Sequence, residues 1–120
     1  MTQAILPLLL KSMAARMVNL SSSLGSLAMN GDPASPNSFA QLIGYGASKA
    51  ALHMLTVQLS QEFRNTSRVV NSISRGYAKT DLTGCIGFLI PAAKTPVNYA
   101  LLGDNAVSGR FVNSESVIAW

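Results

Sequence analysis

One cysteine, one histidine, one tryptophan and only five acidic residues occur in these 120 residues, and each scarcity removes a class of function. A lone Cys85 closes no internal disulfide, and with a single His53 it offers no ligand set for a metal cluster. Sparse cysteine fits a reducing compartment, so a cytoplasmic protein is expected. Charged residues make up 12% of the chain, against about 25% in ordinary soluble domains. The apolar run near the start, Ile5 to Leu10, is interrupted by Pro7 and lacks the basic flank of a secretion signal. It is also far short of the roughly 20 residues a membrane span needs, so neither export nor insertion is expected. The formal charge is +4 and the isoelectric point about 9.7, yet the bases at 11, 16, 49, 64, 68, 75, 79, 94 and 110 form no run and are not interleaved with aromatics. Nucleic acid is therefore not an expected partner. No Gly-x-Ser-x-Gly elbow occurs, which argues against a serine hydrolase.

The residues that remain are apolar: 48% are hydrophobic and the mean hydropathy is +0.29. Strands of a parallel sheet covered on both faces have this character. The length allows one domain, residues 1–120. The pattern predicts a helix over 3–14, a strand over 16–22, a loop from Leu27 to Gly44 rich in Gly, Pro, Asn and Ser, and a helix from Tyr45 to about Arg64. A strand over 68–73, a loop over 74–84, a helix over about 91–102 stopped by Gly103, and a last strand over 109–113 complete the chain. Strand, helix, strand implies a parallel crossover, which puts Ser22 and Gly76 on one rim of the sheet, where open α/β sheets bind ligands.

That rim carries the chemistry. Tyr45 and Lys49 are four apart at a helix start and share a face. An ammonium beside a phenol favours its ionised form, and such a phenol can exchange a proton near neutral pH. Just upstream, Ser21-Ser22-Ser23 closes the first strand. A hydroxyl there could hold a carbonyl or alcohol oxygen against the phenol. His53, one turn beyond Lys49, has no second histidine or carboxylate near it in sequence and is expected to be a packed or interface residue.

The stretches Arg16-Met-Val-Asn-Leu-Ser-Ser-Ser-Leu-Gly25, Tyr45-Gly-Ala-Ser-Lys49, Ser74-Arg-Gly-Tyr-Ala-Lys-Thr80-Asp and Leu101-Leu-Gly-Asp-Asn105 resemble the short-chain dehydrogenase/reductase family, its carbonyl-reductase-like members in particular. The resemblance runs from about Thr2 to Trp120. It implies an α/β fold, the C-terminal part of a Rossmann-like doubly wound parallel sheet. It implies an NAD(P)-dependent oxidoreductase acting on a carbonyl/alcohol pair, with Tyr45 as proton donor or acceptor, Ser22 orienting the oxygen, and Lys49 tuning Tyr45 and gripping the nicotinamide ribose. Ser22 is preferred over Ser21 and Ser23 by the register of the match, which could slip by one. Cofactor binding is assigned on the same basis to Tyr45, Lys49, Gly76, Tyr77, Ala78 and Thr80, with NADP or NAD as cofactor. A small carbonyl or alcohol is the implied partner, and a homo-oligomer paired through helix 45–64 is implied as well. Phe39, Leu42 and Ile43 are either substrate contacts or anchors of their loop.

The chain departs from the family pattern in several places. The glycine-rich turn that receives the cofactor pyrophosphate is absent, since Gly25, Gly31, Gly44 and Gly46 have neither its spacing nor its strand-to-helix setting. The family's Asn-Asn-Ala-Gly stretch and catalytic Asn are also missing. Arg75 stands where the family has proline, and Cys85-Ile-Gly-Phe replaces a polar, basic segment. The chain thus reads as the C-terminal half of a reductase, and the alternative function is a catalytically incompetent truncated fragment or pseudoenzyme acting only through subunit packing.

Overall fold

The computed structural model describes residues 2–76, 90–103 and 106–120. Three parallel strands lie in the order β1 (Arg16–Ser21), β2 (Val69–Ser74), β3 (Phe111–Val112). The register pairs Arg16 with Val69 and runs without slip to Ser21 with Ser74, while Ser72 and Ile73 face Phe111 and Val112 across the other edge of β2. Among the described residues four helices accompany the sheet: α1 (Thr2–Lys11), α2 (Leu27–Gly31), α3 (Ile43–Glu62) and α4 (Ile90–Ala100). The predicted α/β architecture is present, and the strands begin and end within about two residues of their expected positions.

Every residue of the central strand, β2, is buried, and Ile73 and Phe111 are wholly so. Side chains alternate across a strand, so Met17, Asn19 and Ser21 of β1 face α3. Arg16, on the opposite face, reaches the end of α4, donating from Nε to the Leu102 carbonyl (2.8 Å) and from Nη2 to that of Gly103 (2.9 Å). Leu59 and Phe63 of α3 meet Val70 in a small core that Leu6 of α1, Met17 and Leu55 extend. Helix α1 ends at Lys11, shorter than expected, and its last carbonyls are taken up locally: Leu9 O accepts from Ser12 N (3.2 Å) and from Arg68, which also donates to Leu10 O. A cation at this end also complements the helix dipole.

The segment expected to be loop, 27–44, is only partly so. Ser26 caps α2 by accepting from Met29 N (3.0 Å), and Ser35 starts a 3-10 turn over Pro36–Phe39 by accepting from Asn37 N (3.2 Å). Serine before a short run is a cap as readily as a turn residue, and composition does not separate the two. Helix α3 begins at Ile43, two residues before Tyr45.

Candidate active site

The site is built where β1 and β2 end. Ser22 is extended (φ −150°, ψ 147°) and caps a 3-10 turn over Ser23–Gly25, its Oγ accepting from Leu24 N at 3.2 Å. Because Ser21 pairs with Ser74, the chain leaving β2 runs beside that turn, and Ser23 N donates to Ser74 Oγ at 3.3 Å. Two residues later Gly76 turns the chain with φ +71°, a conformation that glycine adopts without strain. Ser22 and Gly76 therefore stand at neighbouring strand ends, as the crossover predicted. Tyr77, Ala78 and Thr80 lie outside the described residues.

Helix α3 brings the other two groups to this rim. Lys49 Nζ sits 5.5 Å from the centroid of the Tyr45 ring and donates to the Leu20 carbonyl, at the end of β1, at 3.2 Å. Tyr45 itself is 42% exposed in the first turn of the helix, open to a ligand. The close approach of helix and turn needs Gly25. A Cβ there would come within 2.6 Å of Lys49 Cβ and 2.8 Å of its carbonyl carbon, nearer than non-bonded carbons tolerate.

The apolar outward impression of α3 in sequence hides a polar inner stripe. Asn19 Nδ2 donates to Thr56 Oγ1 at 2.8 Å, and Ser21 Oγ shares a 2.7 Å hydrogen bond with His53 Nε2. His53 is buried, as expected of a packed histidine, with Phe111 at 4.1 Å and Trp120 at 5.3 Å between ring centroids. Its Nδ1 makes no well-formed hydrogen bond. Burial holds its pKa below the ordinary 6.5, the Gly25 backbone opposes this, and the Lys49 ammonium adds to it. Sequence reasoning left Ser21 and Trp120 without a role. The signal available was the repeat 49, 53, 56, 60, polar every three or four residues along the helix.

Of the loop residues proposed to touch substrate, Leu42 and Ile43 line an open cleft of about 300 Å³ between the Leu24–Leu27 segment and the small residues Gly46 and Ala47 of α3. Phe39 does not line it and is 84% exposed. The cleft lies beside the Tyr45–Lys49 face rather than on it, since neither residue is in its wall. Among the described residues no group of three His, Cys, Asp or Glu could hold a metal. No described helix is long and apolar enough to cross a membrane.

The family model for short chain dehydrogenase matches residues 1–87. The chain belongs to this family. It is 30% identical to (−)-isopiperitenone reductase of Mentha piperita over 154 residues, covering 99% of this chain and 48% of that protein. It is 38% identical over 81 residues to an uncharacterized oxidoreductase of Staphylococcus epidermidis, covering 68% of this chain and 31% of the other. Among solved structures it is similar to NADPH-bound carbonyl reductase from chicken fatty liver, with a TM-score of 0.77 at 28% identity over 99% of this chain and 51% of that one. Salutaridine reductase from Papaver somniferum is similar at a TM-score of 0.72 and 26% identity, over 92% and 49%. The chain thus spans about half the length of most of these relatives. The mint alignment is longer than the chain itself, so the mint protein carries segments that this chain lacks.

Proposed function

We propose that this chain carries the proton-transfer and ribose-binding part of an NAD(P)-dependent reductase acting on a carbonyl/alcohol pair. The observation that carries the proposal is Lys49, placed over the Tyr45 ring and bonded to the end of the serine strand. Tyr45 is the proton donor in reduction and the acceptor in oxidation, and its exposure leaves the phenol open to a bound oxygen. Ser22, on the same rim, orients that oxygen with its hydroxyl. Lys49 has three N–H donors, of which the Leu20 carbonyl takes one; the others suit the hydroxyls of a ribose. The backbone at Gly76 flanks the same rim, and the resemblance adds Tyr77, Ala78 and Thr80 to the nicotinamide side.

These residues fit the nicotinamide-ribose end of a dinucleotide, which when bound would supply or accept the hydride. They do not provide for its pyrophosphate: among the described residues no glycine-rich turn joins a strand to a helix. One observation favours a second reading, a non-catalytic piece that acts through packing. Strand β1 is an edge of the sheet, with Leu20 49% exposed, so the half of the fold that would complete a dinucleotide site is not contributed by the described residues.

A titration of the purified chain with NADPH and NADH, followed by fluorescence of the bound dinucleotide, separates the two. The enzyme reading expects saturable binding, with Tyr45→Phe abolishing turnover while leaving affinity within about twofold. Absence of binding at millimolar dinucleotide would leave the packing reading.

A further inference from the structure

Three consecutive residues of β1 are bonded to three positions of α3. Asn19 holds Thr56, the Leu20 carbonyl holds Lys49, and Ser21 holds His53. The last of these links is the most deeply set. Ser21 is 8% and His53 4% exposed, and the imidazole is flanked by Phe111 and by Trp120. The tail bearing Trp120 is in turn fastened to the segment after Ser22, because Ser26 Oγ donates to the Ala119 carbonyl (2.7 Å) and Ala28 N to that of Trp120 (3.0 Å).

A hydroxyl and an imidazole in hydrogen-bond contact resemble a nucleophile with its base. Both are shut away from solvent here, and among the described residues no carboxylate contributes to the proton affinity of His53. Burying a polar ring whose second nitrogen makes no well-formed hydrogen bond is unfavourable, so packing alone gives no reason for histidine over leucine at this position. What the pair does achieve is geometric. It pins α3 one turn beyond Lys49 to the residue between Leu20, whose carbonyl accepts the Lys49 hydrogen bond, and Ser22.

We infer that Ser21 and His53 are positioning residues: their buried bond sets where the Lys49 ammonium lies against the end of β1 and where Ser22 stands relative to it. The inference rests on the proposed function in so far as it concerns reaction, but its geometric content is tested without turnover.

The test uses the full chain with four substitutions, Ser21→Ala, His53→Leu, His53→Gln and His53→Asn. The bond runs through Nε2, and a Gln amide reaches about as far as Nε2 whereas an Asn amide reaches only to the position of Nδ1. In reductively ¹³C-methylated protein, the Lys49 resonance and the ¹⁵N-amide signals of Ser22, Ser23 and Leu24 should shift in Ser21→Ala, His53→Leu and His53→Asn. They should return toward wild type in His53→Gln, while Lys11 and Lys94 stay put. Ser21→Ala keeps the test available if a histidine variant fails to fold. Where the wild-type chain binds and turns over, kcat should fall about tenfold in Ser21→Ala and His53→Asn, with the carbonyl KM unchanged, as misplacement of a catalytic group predicts. Unmoved Lys49 and Ser22–Leu24 signals, or Gln and Asn variants that behave alike, would overturn the tether. A wild-type chain that binds no dinucleotide would sink the proposed function and leave the tether to be decided by the resonances.

Discussion

At the scale of residues, the polar groups inside this molecule divide by the solvent they meet. Tyr45 and Lys49 stay at the rim, where one can reach a ligand and the other keeps donors to spare. His53 is enclosed by Ser21, the Gly25 backbone, Phe111 and Trp120, and the charged group that bears on it is Lys49 on its own helix. Its folded pKa lies below the unfolded value of about 6.5, so the unfolded chain binds the extra proton first. The stabilisation is therefore present in full above pH 6.5 and is lost as the pH falls toward and through the folded value. The urea midpoint should accordingly drop between pH 7.5 and pH 5, and His53→Gln should flatten that part of the profile. An unchanged slope in the variant would assign the acid sensitivity to other groups.

At the scale of elements, the strands and the three helices expected over 3–14, 45–64 and 91–102 were legible in the sequence because their signals are local. The run Val69-Val-Asn-Ser-Ile73 is buried throughout, and its neighbours pair with it in a register that the serine ends of both strands share. The placement of Ser22, Gly76, Tyr45 and Lys49 around one rim was likewise legible, since it comes from parallel crossover and helical spacing. Residues 27–44 were not, because whether Ser26 and Ser35 cap helices or turn loops depends on the backbone N–H groups each one meets in space. The Ser21–His53 bond was hidden for the same reason, its partners being 32 residues apart. Contact between the serine turn and α3 is the tightest of these spatial facts. Gly25→Ala would drive a methyl into Lys49, and separating the two elements should cost about 1–3 kcal/mol, the range for overpacking a close contact. Chemical denaturation measures that loss, and a stability indistinguishable from wild type would show that the turn can retreat.

At the scale of the whole molecule, half of a family fold leaves surfaces that its relatives of about twice the length can cover. Among the described residues strand β2 is paired on both sides but β1 on one side only, and Leu20 is half exposed along it. Leu8 and Met13 are exposed on and after α1, and Leu101 just after α4. Unpaired backbone groups next to apolar side chains form a template for pairing with another chain, and natural sheets discourage this with charges on edge strands, lysine above all. In β1 the only charged residue is Arg16, at its start, so nothing charged within the strand guards the exposed end. Leu20 points to the face of the sheet opposite α3, away from the Asn19 and Ser21 links, and only its backbone carbonyl serves Lys49. Leu20→Lys should therefore add a charge to the edge without cutting those links. Sedimentation velocity across a concentration series should show less self-association in the variant at equal denaturant stability. Association that persists unchanged would move the sticky surface from the β1 edge to the exposed helices.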